Sequence, residues 1–330
     1  MGASAGTHPF VHRQSPCDLL ACRYLKDLLE SILEFAKPLK TAVFLIIAML
    51  ALIGGASAQL QQVAAKSPSI EDKLAQSYHA MYDLKFQEAF KAADEAKAVA
   101  QDDPLPYVAQ AWVAFFRELD RLHILRSELF ATDDSYKSRD AYTWDTGNKQ
   151  IFDSSLDHAE KLAQDRLHRN QNDSRALLAL SLINGLHGDD FGIFTKKDLK
   201  AISYIKTATT YAEKLLAQSP DSYDAYVATG MGKVIVARKS APVRWVLRLG
   251  GLKGDEDEGV KELTLAADHA HYLAPFARLL VVFEDVRFKN TDDARRKLQA
   301  LHQQFPNNHL FQDELEKLGR TSAQLVRQGN

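Results

Sequence analysis

The sequence predicts an all-α protein built from stacked antiparallel helix pairs. Three observations predict it. Beyond Ser67, apolar residues recur at helical spacing almost throughout. Alternating apolar–polar runs bounded by turns, the mark of strands, are nearly absent. Stripes of small residues also end repeatedly at a proline or asparagine, which stops one helix before the next begins.

The first element precedes the helical part. Thr41–Gln59 has the layout of a secretory signal core. Lys37 and Lys40 supply positive charge, and Ala42–Ile53 is an unbroken apolar run of 12 residues. Gly54-Gly55 breaks the helix, and Ala56, Ser57 and Ala58 offer small residues at an A-x-A site. Cleavage is expected between Ala58 and Gln59. The run is shorter than the ~20 residues of a bilayer span. The other reading is a retained anchor over residues 41–65, because no charge interrupts that stretch. Residues 1–58 are thus an N-terminal extension and signal, and 59–67 a linker. Two explanations of the unusually long leader stay open. Translation starts near Leu39, or Leu25, Leu28, Leu29, Ile32 and Leu33 form a genuine amphipathic segment.

Residues 59–330 number 272, enough for one elongated domain or two compact ones. They carry 36 basic and 39 acidic side chains, so no basic excess points to nucleic acid. Cys17 and Cys22 both precede the cleavage site, so the remainder has no disulfide framework and no thiolate metal site.

The helical domain covers 68–330. Ser67-Pro68 is expected to start the first helix, which carries Leu74, Tyr78, Met81 and Tyr82 on one stripe. A turn at Asp83–Lys85 leads to Phe86, Ala89, Ala93 and Ala96, and Pro104 and Pro106 close the unit. Ile70–Asp103 is therefore a helix–turn–helix of 34 residues, a diagnostic repeat length. The ending recurs at Ala212, Leu216 and Pro220, then Ala225, Tyr226 and Gly230. It recurs at Ala294, Leu298, Leu301, Pro306 and Leu310, and more weakly at Ala159, Ala163, Asn172 and Ala176. Small residues let helices approach closely, and each pair needs a neighbour to cover its apolar face. About four to five pairs follow from the usual repeat size. Trp112, Phe115 and Phe116 read as core.

With Tyr82, Phe86, Ala89, Ala96 and Pro104 in the first unit, and Pro220, Tyr226 and Gly230 in the middle, the chain resembles the tetratricopeptide repeat superfamily. The resemblance covers about half of residues 59–330. It implies a TPR-like α-solenoid, a right-handed superhelix with protein-binding grooves, and implies no catalysis. The first turn is shorter than the family's. The breakers Pro104, Asn172, Pro220 and Pro306 are 68, 48 and 86 residues apart, so the repeats are irregular and several helices long. From Gly251-Leu252-Lys253-Gly254-Asp255 through Tyr272-Leu273-Ala274-Pro275 to Pro306-Asn307, the chain is also similar to bacterial relatives of a eukaryotic tetratricopeptide group linked to inclusion-body clearance.

Two segments depart from the pattern. Residues 131–149 read as an irregular insertion, polar yet holding Tyr136, Tyr142 and Trp144, which are candidates to anchor a partner. Rings that fold back to cap the helices are the other reading. The second segment, 232–254, carries Lys233, Arg238, Lys239, Arg244, Arg248 and Lys253, with no acid between Asp224 and Asp255. With Trp245 it forms a basic amphipathic stretch that fits an anionic membrane surface. The competing reading has Asp255–Glu258 neutralising these cations. His187-Gly188-Asp189-Asp190 and Asp268-His269-Ala270-His271 lack metal-motif spacing, and no nucleophile elbow or phosphate loop is present. Asp189 is expected to help turn the chain after Leu186.

The residues therefore support an exported, non-enzymatic scaffold or adaptor of the cell envelope. It would bind a protein or peptide, needs no cofactor, and has no nucleic-acid partner. A peripheral membrane protein using 232–254 is the alternative. A hydrolase or metal-binding enzyme is the third reading.

Overall fold

The computed structural model describes residues 69–123 and 141–328. The signal core, its cleavage site at Ala56, Ala58 and Gln59, the linker 59–67 and Tyr136 lie outside the described residues. Every regular element among the described residues is helical. The twelve α-helices are α1 (Ile70–Tyr82), α2 (Phe86–Val99), α3 (Leu105–Leu122), α4 (Thr146–Arg169), α5 (Ser174–Asp189), α6 (Asp198–Gln218), α7 (Tyr226–Ala237), α8 (Ala241–Leu249), α9 (Glu256–His269), α10 (Ala274–Arg287), α11 (Thr291–Gln304) and α12 (His309–Gln328). A π-turn, Asp190–Phe194, extends α5, and a short 3-10 turn, Tyr223–Ala225, precedes α7. Twelve helices exceed the four to five pairs expected, because the C-terminal third is cut into six helices of 9 to 20 residues, whereas α4 and α6 run to 24 and 21.

Aspartates start many of these helices. Asp145, Asp173 and Asp255 each accept from a backbone N–H in the first turn of α4, α5 and α9. Asp103 Oδ1 accepts from Leu105 N–H at the head of α3. The carboxylate satisfies an orphan donor and meets the positive end of the helix dipole. The first helix is capped by Ser69, whose hydroxyl accepts from Asp72 N–H while Asp72 reaches back to Ser69 N–H. Ser67 and Pro68, expected to start this helix, lie outside the described residues; the described helix begins at Ile70, where the reciprocal capping box closes.

Each helix packs on its sequence neighbour, with one exception. The helix α7 packs directly on α9, so α8 is looped out from between them. The small-residue stripes sit where helices touch. Ala89, Ala93, Ala96, Ala159, Ala163, Ala212 and Ala294 are all fully buried. The Ala89 carbonyl also accepts from Ser77 Oγ of α1 at 2.9 Å. A tryptophan at Ala89 is expected to lower stability by roughly 1–3 kcal/mol through overpacking. A shifted denaturation midpoint is the readout, and an unchanged one contradicts the packing.

The array also closes on itself. The helix α3 is apolar nearly all round, with 12 of its 18 residues buried. Trp112 and Phe116 on α3 meet Phe276 of α10, at 5.0 and 6.2 Å between ring centroids. Tyr78 stacks on Tyr272, and Tyr82 donates its hydroxyl to Tyr272 O. Asn308 donates to Tyr82 O, and Asn307 donates to both oxygens of Asp83. One continuous core therefore runs from Leu74 to Leu318.

Candidate functional site

Tyr142 and Trp144 are held by four consecutive backbone or side-chain contacts. Tyr142 N–H donates to Phe194 O, and Thr143 O accepts from Arg121. Trp144 Nε1 donates to Asp190 Oδ1 at 2.7 Å, and Asp145 N–H donates to Glu118. The Trp144 ring lies stacked 4.5 Å from Phe194 and 4.9 Å from Phe152. Both aromatic side chains are half-buried against the core, which matches the capping alternative for these two positions. The helix α4 starts at Thr146, inside the stretch expected to be irregular, because Asp145 caps it. Gly147 and the lack of an apolar residue before Ile151 hide that start in the sequence.

Glu118 is the polar centre of this corner. It is fully buried and accepts from Arg121, Asn148 Nδ2 and Asp145 N–H. Burial pushes its carboxyl up, but these donors outweigh burial and hold it below the usual range. Beside it, α5 continues through Asp189 into the π-turn, and the chain turns only at Thr195–Lys197. Asp189 is therefore not the residue that turns the chain after Leu186. Burial, then the neighbouring charge of Asp190, pushes the Asp189 carboxyl up to about 7.

The second histidine segment lies against the 3-10 turn. Asp224 in the 3-10 turn accepts from the backbone N–H groups of His271, Tyr272 and Leu273 at 3.0, 2.9 and 2.8 Å. It holds the turn that leads into α10 from a distant part of the chain. His269 lies against Tyr223 at 4.9 Å. Where α3 meets α12, His123, His309 and Asp313 bring ligand atoms within 4.8 Å of one another, and all three are exposed. Exposed His and Asp on adjoining helix ends produce such a grouping without a metal.

The basic segment divides residue by residue. Lys233 pairs with Glu262, and Arg238 pairs with Glu256 of α9 and Glu284 of α10. These two cations join helices and leave the candidate surface. Arg244 donates to Ala237 O at 3.0 Å. Lys239, Arg244, Trp245 and Arg248 lie on or beside α8, which has no buried residue. The sequence predicts an amphipathic stretch here without grouping the residues of its apolar face. Pro242, Trp245, Val246 and Leu249 are exposed and stand at i, i+3, i+4 and i+7. That spacing defines one helix face and was readable from the sequence, although its exposure was not. A shallow depression along α2, bordered by Gln87, Phe90, Lys91, Asp94, Glu95 and Ala98, encloses no comparable chemistry.

No protein-family model, curated protein or solved structure matches this chain. Among the described residues, no helix is long and apolar enough to cross a membrane.

Proposed function

We propose that this chain is an exported, non-enzymatic helical-repeat protein that acts as a protein-binding scaffold in the cell envelope. Its helices are read as a TPR-like, right-handed solenoid of irregular repeats. Packing of most helices on their sequence neighbours supports that reading, and the contacts of α1 and α3 with α10, the turn before it and the α11–α12 turn add a closure that an open stack of repeats lacks. The Thr41–Gln59 pattern supports export.

One observation carries the non-catalytic part. The buried charges are tied to helix joints. Glu118 links α3 to α4, Asp224 holds α10, and Glu284 with Arg238 links α7 to α10. Asp103 with Arg175 links the head of α3 to α5. A catalytic centre would instead gather such groups around an open cleft.

Mild cross-linking of the native cell envelope, purification of the intact protein and reconstitution with the purified partner test this function. A stoichiometric complex that reforms from purified components is expected. Recovery of the protein alone would contradict it.

A further inference from the structure

We propose that α8 is a docking helix for an anionic lipid bilayer surface. The argument begins with what α8 is not part of. Its neighbours α7 and α9 pack on each other without it. At their crossing Gly230 and Gly259 lie face to face, and a Cβ on Gly259 would stand 2.7 Å from Gly230 O. The repeat array is therefore complete there, and α8 is an excursion from it.

The excursion is held in a fixed pose. Gly254 passes so close to the end of α7 that a Cβ would stand 2.4 Å from Ala237 N. Asp255 N–H donates to Lys233 O, and Leu252 is buried at the return. Leu247 is the half-buried residue of α8, and Arg244 ties the helix to Ala237 O of α7. The opposite face is left outward. Seven large hydrophobic residues are exposed among the described residues, and four of them, Val243, Trp245, Val246 and Leu249, lie on this nine-residue helix. Trp245 and Leu249 are 64% and 70% exposed.

Charge selects the occupant. Arg248 flanks the apolar face beside Trp245, Lys239 and Lys253 lie in the chain just before and just after the helix, and exposed Lys206 of α6 lies beside Gly250 at its end, while Arg244 points to the other side and donates to Ala237 O. No acid occurs between Asp224 and Asp255. The acids that follow have their own work at the start of α9. Asp255 caps it, Glu256 binds Arg238, and Glu258 pairs with Lys261, while Asp257 is exposed. A second copy of the chain would set this cationic rim against itself. The face is also a single strip only about 13 Å long, too small to bury the roughly 800 Å² per partner that a stable dimer buries. A bilayer surface has neither difficulty. Tryptophan sits favourably at headgroup level, the aliphatic residues enter the acyl boundary, and the cations meet lipid phosphates.

Intact protein is sedimented with vesicles of phosphatidylcholine alone and of an equimolar phosphatidylcholine–phosphatidylglycerol mixture. Binding only to the anionic vesicles is expected, with loss at high salt as the screening length falls from about 10 Å at 0.1 M to about 3 Å at 1 M. Arg248→Glu with Lys253→Glu is expected to weaken it by at least about tenfold. Trp245→Ser is expected to weaken it and to abolish a blue shift in tryptophan emission on vesicle addition. Because α8 has no buried residue, these variants are expected to melt with the parent protein. Equal sedimentation with both vesicle types overturns the proposal. So does unchanged binding by the variants, or a dimer in solution that Trp245→Ser dissolves.

Discussion

Asp224→Ala is expected to destabilise the protein by about 3 kcal/mol or more, since each buried donor left without a partner costs roughly 1–3 kcal/mol. Three backbone N–H groups point at this carboxylate, and those of Tyr272 and Leu273 are buried. Alanine supplies no acceptor, and the residue is 6% exposed, so water has little access. The loss also removes negative charge from the head of α10, where the helix dipole favours it. Burial raises the Asp224 carboxyl above its usual range while the three donors pull it down. Asp224→Asn separates the two contributions. It keeps one oxygen, enough for Tyr272 and Leu273, which share Oδ1. A smaller loss is expected, confined to the His271 contact. Chemical denaturation of the three proteins makes the comparison, and equal stability of Asp224→Ala and the parent contradicts a role in holding the turn before α10.

Gly259→Ala is expected to destabilise, although alanine in a helix interior normally gains about 1 kcal/mol over glycine. Its Cβ would stand 2.7 Å from both Gly230 O and Val234 Cγ2. A backbone carbonyl cannot rotate aside as a side chain can, so α7 and α9 must separate. Overpacking of this kind costs roughly 1–3 kcal/mol. Gly185 on α5 is the internal control, since a Cβ there meets nothing within 4 Å. Gly185→Ala is expected to stabilise by about 0.5–1 kcal/mol. Opposite signs for the two substitutions in one denaturation series support the crossing. A gain at both sites contradicts it.

The all-helical class was legible because helical periodicity and breaker residues are local signals. Ala89, Ala93 and Ala96 fall at helix contacts because small size at i, i+4 and i+7 has one physical use in a packed helix. What was not legible is long-range. Nothing near Asp224 in the chain reveals that its partners lie at 271–273. Nothing near Asp83 reveals Asn307. Lys233 and Arg238 looked like part of one cationic stretch, because linear charge counting cannot see Glu262 and Glu284 approaching from other helices. Trp144 could be read as an anchor or as a ring folded back on the helices, because the rings it packs on, Phe152 and Phe194, lie in later helical segments. The α8 face was the converse case. Its pattern is that of a helix that buries one side, and only the packing of α7 on α9 leaves that side uncovered.

Hydrogen–deuterium exchange of the intact protein in the absence of lipid tests the central claim most directly, that α8 stands outside an otherwise continuous helical array. Amides of 241–249 are expected to exchange far faster than those of α7 and α9, whose faces are buried against each other. Protection over 241–249 equal to that of its two neighbours would contradict the account, because it would place α8 inside the packed array.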